Sequence, residues 1–116
     1  RCYSNQLTAL DVSRNTELAE LECYSNQLTA LDVSRNTELA RLECYSNQLT
    51  ALDVSNNTEL TELRCQENQL AAAALNTIFT SLPTVQSGYI YISGNPGTAT
   101  CNRSIATNKG WSFRFG

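Results

Sequence analysis

Cysteine returns every 21 residues in the first part of the chain, so metal ligation and disulfide formation are the first chemistry to consider. The residues concerned are Cys2, Cys23, Cys44 and Cys65. On neighbouring parallel strands, equivalent residues lie about 4.8 Å apart. A straight row at that spacing does not surround zinc, whose bonds to sulfur are about 2.3 Å, and it holds β-carbons wider than the roughly 3.8 Å of a disulfide. We predict buried thiols that act as small hydrophobic side chains, with no metal and no cofactor.

Asparagine and aspartate recur at the same interval. Short amides at the corners of a repeating coil can satisfy backbone groups where the chain turns, so we interpret the asparagines as hydrogen-bond ladders. The aspartates lack the glycine-rich acidic loop of calcium-binding repeats, so we interpret them as turn caps or solvated side chains. The columns are Asn5, Asn26, Asn47 and Asn68; Asn15, Asn36 and Asn57; and Asp11, Asp32 and Asp53.

Outward-facing aromatic and charged residues recur as well, and they are the candidates for binding. Tyrosine supplies a large contact area at low entropic cost, but stacked tyrosines can also simply stabilise neighbouring strands. Both interpretations stay open. The adjacent charged columns place glutamate beside arginine between coils, which favours ion pairs between strands. The predicted binding face comprises Tyr3, Tyr24, Tyr45, Gln66, Tyr91, Glu22, Glu43 and Arg64. In this alignment Tyr91 continues the tyrosine column, and Tyr89 continues the column of Arg64.

Catalysis is not predicted. The chain contains no histidine, which is the commonest general base, and it has no glycine-rich phosphate loop. Glu20 and Glu22 form a recurrent pair of carboxylates, but no pocket is predicted to raise the pKa of either. The net charge of −3 is too small to indicate nucleic-acid binding. No stretch approaches the roughly 18 apolar residues of a membrane span, so membrane insertion is not predicted either.

These columns arise because a 21-residue unit repeats almost unchanged. Residues 22–42 differ from residues 1–21 at two positions, and residues 43–63 differ from residues 22–42 at three. A fixed period of this length is typical of a solenoid of stacked coils. Each unit contains the arcs LxxLxCxxNxL and LxxLxVxxNxxL. Their alternating LxC and LxV pairs predict two short strands on opposite sides of each coil.

The first arc resembles the conserved segment of leucine-rich repeats, with cysteine in the place of one leucine. Its period and its cysteine are similar to the cysteine-ladder class found in internalin J and in leucine-rich surface proteins of gut anaerobes. The resemblance covers Arg1 to Leu70. It implies an α/β repeat solenoid, a right-handed coil with a parallel β-sheet on its concave face, followed here by a capping helix and strand.

The period ends after Leu70, so we predict leucine-rich repeats over residues 1–70 and a C-terminal cap over residues 71–116. An alanine run followed by apolar residues on one face predicts a helix over residues 71–82, which Pro83 stops. A capping end with a polar face is what a repeat array requires. The tail also resembles the C-terminal ends of the same surface proteins.

The remainder of the cap is predicted from spacing. The segment GYIYISGNPG repeats the LxCxxN pattern, and we predict the last concave strand over residues 89–93. A short helical turn over residues 104–109, ended by Gly110, and a strand in WSFRF complete the cap. Cys101 stands outside the ladder and is predicted to be a free thiol.

Two functions fit these patterns. The near-identity of the repeats favours an engineered or idealised solenoid without a natural ligand. The alternative is a secreted or surface bacterial module that binds a host protein or glycan through the concave face, although the sequence shows no signal peptide. The first coil has no predicted cap over Cys2, Leu7, Leu10 and Val12, so we also expect a homodimer through that coil.

Overall fold

Five short parallel strands lie side by side in the order in which they follow along the chain. The computed structural model describes residues 2–115. The strands are β1 (Glu20–Glu22), β2 (Arg41–Glu43), β3 (Glu62–Arg64), β4 (Gly88–Tyr91) and β5 (Trp111–Arg114), and the helices are α1 (Ala72–Ser81) and α2 (Ser104–Thr107). Because the strands pair in register, equivalent residues of successive coils form straight columns. Neither helix is long and apolar enough to cross a membrane among the residues described.

The columns of leucine and cysteine form the core. Leu21, Leu42 and Leu63 pair across β1, β2 and β3 and are all buried. The cysteine column continues inside the sheet, and Cys23, Cys44 and Cys65 are fully buried. A buried thiol next to leucines contributes packing as a small apolar group. The predicted ladder of buried cysteines is therefore confirmed for these three residues, whereas Cys2 in the first coil is only half-buried.

Asparagine side chains connect neighbouring coils at the corner that follows each sheet strand. The Asn47 amide donates to the carbonyl oxygens of Cys23 (3.1 Å) and Cys44 (3.0 Å). Its Oδ1 accepts from the backbone N–H of Leu28 at 3.0 Å. Asn26 and Asn68 repeat this pattern in the coils on either side. The predicted hydrogen-bond ladder is confirmed for Asn26, Asn47 and Asn68, and it satisfies buried backbone groups that water does not reach.

The second arc differs from the prediction of a strand. Residues 29–33 and 50–54 have no strand structure, because their backbone does not form a ladder with the next coil. The turn that follows is held locally instead, since Asp32 Oδ1 accepts from the backbone N–H of Ser34 at 2.9 Å. Asp11 and Asp53 do the same in their coils. Hydrogen bonds from this serine, first from its hydroxyl and then from its backbone N–H, lower the pKa of each aspartate carboxyl. The backbone bond confirms turn capping by the aspartates.

Helix α1 enlarges the coil that follows β3. Leu75, Ile78, Phe79 and Leu82 are buried on one side of it, as the apolar spacing predicts. The helix ends at Ser81, and Leu82 before Pro83 is extended because the proline ring disfavours a helical conformation in the preceding residue.

The predicted last concave strand is not the last strand of the sheet. Strand β4 pairs with β3 on one side and with β5 on the other, and Ile90 pairs with Phe113. Trp111 anchors β5 because its side chain is buried and its Nε1 donates to the carbonyl oxygen of Pro83 at 2.8 Å. The strand predicted in WSFRF therefore extends the sheet by one position.

The first coil is less open than the sequence indicates. Cys2, Leu7 and Leu10 are half-buried, but Val12 is only 6% exposed. Val12 therefore belongs to the core, which corrects its placement at an open edge. Dimerisation through this coil remains a prediction.

Candidate functional site

Three tyrosines stack along the outer face of the sheet. The ring centroids of Tyr3 and Tyr24 lie 4.7 Å apart and those of Tyr24 and Tyr45 lie 4.5 Å apart, with interplanar angles of 2° and 5°. This spacing follows the separation of neighbouring strands, about 4.8 Å. Because the ring faces cover one another, the column offers a ligand mainly ring edges and hydroxyl groups. The stacked rings contribute to the stability of the sheet.

The tyrosine column ends at Gln66, and Tyr91 does not continue it. Strand β4 pairs Tyr91 with Arg64 and Tyr89 with Glu62. The predicted alignment was therefore wrong by two residues at both tyrosines. The physical reason is that Ile92 takes the core position of Cys65, so the next residue, Ser93, takes the position of Gln66. The candidate face keeps Tyr91, but in the column of Glu22, Glu43 and Arg64.

The charged columns form a network of ion pairs between strands. The Arg41 guanidinium lies 3.4 Å from Glu20 Oε1, 3.8 Å from Glu43 Oε2 and 3.6 Å from Glu62 Oε2. Arg64 Nε lies 2.7 Å from Glu62 Oε2. The predicted placement of glutamate beside arginine is confirmed in the column of Glu20, Arg41 and Glu62. In the neighbouring column two glutamates, Glu22 and Glu43, are paired. Exposed ion pairs contribute little individually, but the network fixes the directions of these side chains.

Glu43 is the most buried carboxylate of this network. Burial raises the pKa of its carboxyl, while the Arg64 and Arg41 guanidiniums oppose the rise. Carboxylate oxygens of Glu20, Glu22 and Glu43 lie within 4.8 Å of one another, a grouping that the sequence analysis did not predict. Arg41 already balances part of this charge, and the arrangement is that of a salt-bridge cluster.

Two arginines lie over tyrosine rings at the C-terminal end of the face. The Arg64 guanidinium carbon is 4.5 Å from the centroid of the Tyr91 ring, and that of Arg114 is 4.5 Å from the centroid of the Tyr89 ring. Cation–π contacts of this kind favour a fixed position of the planar guanidinium. This face, from the tyrosine stack to the two arginine–tyrosine pairs, brings together the predicted site residues and is named the concave face below.

Comparison with known structures identifies a leucine-rich-repeat protein with the same fold and a cysteine ladder. The functional domain of InlJ (internalin J) from Listeria monocytogenes, which includes a cysteine ladder, is 31% identical to this chain with a TM-score of 0.73. The match covers 96% of this chain. The chain belongs to the cysteine-ladder leucine-rich-repeat proteins. It spans 23% of the length of that internalin J chain. No family model matches the sequence, and the search of curated proteins finds no match.

The internalin-like leucine-rich-repeat fold is a binding fold, and its ladder keeps cysteine chemistry away from the surface. Burial raises the pKa of the Cys23 and Cys65 thiols to about 12 and that of Cys44 well above its usual range. Because the thiolate is the reactive form, these three thiols are inert. Cys2 is half-buried, and burial raises the pKa of its thiol as well. Cys101 is a half-buried free thiol outside the ladder.

Thiol labelling tests the ladder directly. We expect iodoacetamide to modify Cys2 and Cys101 in the native protein and to leave Cys23, Cys44 and Cys65 unmodified. In denaturant, all five cysteines are expected to react, because burial no longer raises their pKa values. Peptide mass spectrometry after labelling identifies the modified positions. Rapid native labelling of Cys44 would contradict the buried ladder.

The opposite side of the solenoid carries a groove that sequence reasoning missed. It has a volume of about 940 Å³ and lies between the second arcs of two repeats and α1. Ala51, Leu52, Ala73 and Thr77 are among its lining residues. The groove arises because α1 makes its coil larger than the coils before it. The alanine run predicts the helix, but the groove depends on how the helix packs against the earlier repeats, which the sequence pattern does not show.

Proposed function

We propose that this chain is a non-catalytic leucine-rich-repeat scaffold whose concave face is a binding surface. The observation that carries the proposal is the row of tyrosine hydroxyls beside fixed charges. The rings are parallel within 5°, and Arg41 and Arg64 are held by Glu62. Groups that are already positioned lose little conformational freedom on binding, which favours affinity. The likeness to the functional domain of InlJ also supports a binding role.

A second candidate is an engineered or idealised solenoid without a natural ligand. The positions that differ between repeats favour it, because they avoid the core. Glu20, Arg41, Arg35 and Asn56 are exposed, and the leucine, valine and cysteine columns are unchanged from the first repeat to the third. Sequence differences that are confined to exposed positions are consistent with a surface that was altered while the core was kept constant.

A pair of hydroxyl deletions separates the two candidates. In Tyr24→Phe/Tyr45→Phe the ring stack remains, while two hydroxyls are lost from the concave face. We expect ligands selected from oligosaccharide arrays and displayed protein libraries to bind this variant at least about tenfold more weakly, because each hydroxyl hydrogen bond contributes about 1 kcal/mol. Surface plasmon resonance with the purified ligand gives the affinity.

The matched control removes two hydroxyls from the same repeats on the other side. Thr29 and Thr50 are exposed on the second arcs, so Thr29→Val/Thr50→Val should leave affinity unchanged. Ligands equally insensitive to both variants would place binding elsewhere. A complete lack of selected ligands would favour the idealised scaffold.

A further inference from the structure

The repeats lose their regularity at one place on the concave face. Where the third repeat reads ECYSN, the fourth strand reads RCQEN. These changes place Arg64, Gln66 and Glu67 around a small cavity of about 240 Å³, which Tyr45 and Ser46 complete. We name these five residues the Gln66 pocket. Its volume is below the roughly 300–1,000 Å³ of pockets for drug-sized ligands, so it accommodates one small ring.

Gln66 is the unusual member of the pocket. Its side chain is polar, yet the residue is only 6% exposed. Its Oε1 is buried and has no hydrogen-bond partner among residues 2–115. Burying an amide oxygen without a partner is unfavourable, and such a group in a native fold calls for an explanation. Asn36 Oδ1 and Asn57 Oδ1 are buried without a partner as well, so the unpartnered oxygen alone does not mark a site. Gln66 also lines this pocket, and a ligand there completes the hydrogen bond once the amide turns towards it.

The walls of the pocket are fixed before any ligand arrives. Tyr45 is held by its stack on Tyr24. Arg64 is held by the carboxylate of Glu62 and lies over the ring of Tyr91. The hydroxyl of Ser46 donates to Glu67 Oε2 at 3.1 Å.

The polar groups of the pocket match a ligand that both donates and accepts. The amide of Gln66 offers a donor and an acceptor whose places exchange when the group rotates. A hydroxyl satisfies either orientation because it donates and accepts through one atom. Arg64 adds donors and Glu67 adds acceptors. A ring that carries several hydroxyls therefore fits all three side chains.

A protein partner fits this pocket less well. Protein interfaces depend on apolar or aromatic anchors inserted into well-packed pockets. Four of the five residues of the Gln66 pocket are polar or charged, and Tyr45 is its one aromatic residue. An apolar anchor would therefore cover polar groups without giving them hydrogen-bond partners. We propose that the Gln66 pocket binds one sugar ring of a saccharide, with Gln66, Arg64 and Glu67 contacting its hydroxyls. This assignment rests on the proposed function of the concave face.

Side-chain NMR tests the assignment. The ¹⁵N-labelled chain is titrated with the methyl glycosides of glucose, galactose, mannose and N-acetylglucosamine, and separately with oligosaccharides that contain them. We expect at least one sugar to shift the side-chain amide signals of Gln66 saturably, with a dissociation constant on the order of 1 mM. Gln48, exposed in the preceding coil, is the internal control and should not shift. Tighter binding of the oligosaccharide than of the methyl glycoside would identify a glycan chain as the natural source of the sugar ring.

Two variants keep the test independent of folding. Gln66→Leu should weaken binding at least tenfold. Gln66→Tyr restores the residue of the earlier repeats, so it should extend the stack, fill the pocket and abolish binding while the melting temperature stays at or above that of the parent chain. Binding of sugar by Gln66→Tyr with unchanged affinity would overturn the assignment.

The experiments distinguish failure of the saccharide assignment from failure of the proposed binding function. If no sugar shifts Gln66 but a selected protein ligand binds the concave face, the saccharide assignment is wrong and the proposed function stands. If neither sugars nor selected ligands perturb this face, both are wrong.

Discussion

Replacing Asn47 with alanine is expected to lower the free energy of unfolding by about 3–5 kcal/mol, a large share of the 5–15 kcal/mol typical of a small domain. The Asn47 side chain is bonded to the carbonyls of Cys23 and Cys44 and to the N–H of Leu28, and the residue is 7% exposed. Alanine leaves the N–H of Leu28 buried without a partner, which costs about 1–3 kcal/mol. It also removes one of the two amide donors to each of the Cys23 and Cys44 carbonyls, at about 0.5–1.5 kcal/mol per lost hydrogen bond, while Asn26 and Asn68 keep the other. Urea unfolding followed by circular dichroism measures the change.

The same substitution at the first coil is the matched control. Asn5 is exposed, and its amide donates to the carbonyls of Cys2 and Tyr3 at 3.2 Å. Water can replace these bonds, so Asn5→Ala should cost less than about 1 kcal/mol. Equal losses for Asn5→Ala and Asn47→Ala would show that burial of the ladder does not determine its contribution.

Periodicity accounts for what the sequence predicts well. Because the repeat stacks in register, a residue type that returns every 21 positions must form a column, and alternation fixes whether that column faces the core. This is why the burial of Cys44 and the ladder of Asn47 follow from spacing alone. The ion pairs of Arg41 also follow, since oppositely charged residues in neighbouring strands must lie side by side.

Features that depend on several distant segments are not predictable in this way. The pairing of β5 with β4 requires α1, α2 and the burial of Trp111, which no local pattern encodes. The unpartnered oxygen of Gln66 depends on the residues that surround it from other coils. The position of Tyr91 is different, because the spacing of Ile92 and Asn95 already contained the correct register.

Gly97 is a position where the cap is expected to be highly sensitive to an added methyl group. It lies in the loop after β4, and its N–H donates to the carbonyl oxygen of Leu70 at 2.9 Å. A β-carbon at this position would collide with backbone atoms of Ala71 and Ala72 at the start of α1. Backbone cannot move aside as a flexible side chain does. Gly97→Ala must therefore displace α1 and its buried residues, at a cost of about 3–5 kcal/mol in urea unfolding.

Gly94 in the same loop provides the control because its conformation is tolerated by other residues. Its φ is +74°, and Ser46 and Glu67 adopt φ of 56° and 55° at the equivalent place before an asparagine. A β-carbon at Gly94 would approach the Glu67 side chain at 2.9 Å, and that chain can move. Gly94→Ala should therefore cost about 1–2 kcal/mol, mainly for the left-handed backbone. A loss for Gly97→Ala no larger than this would mean that α1 can shift freely, and the cap would then be a loosely attached element.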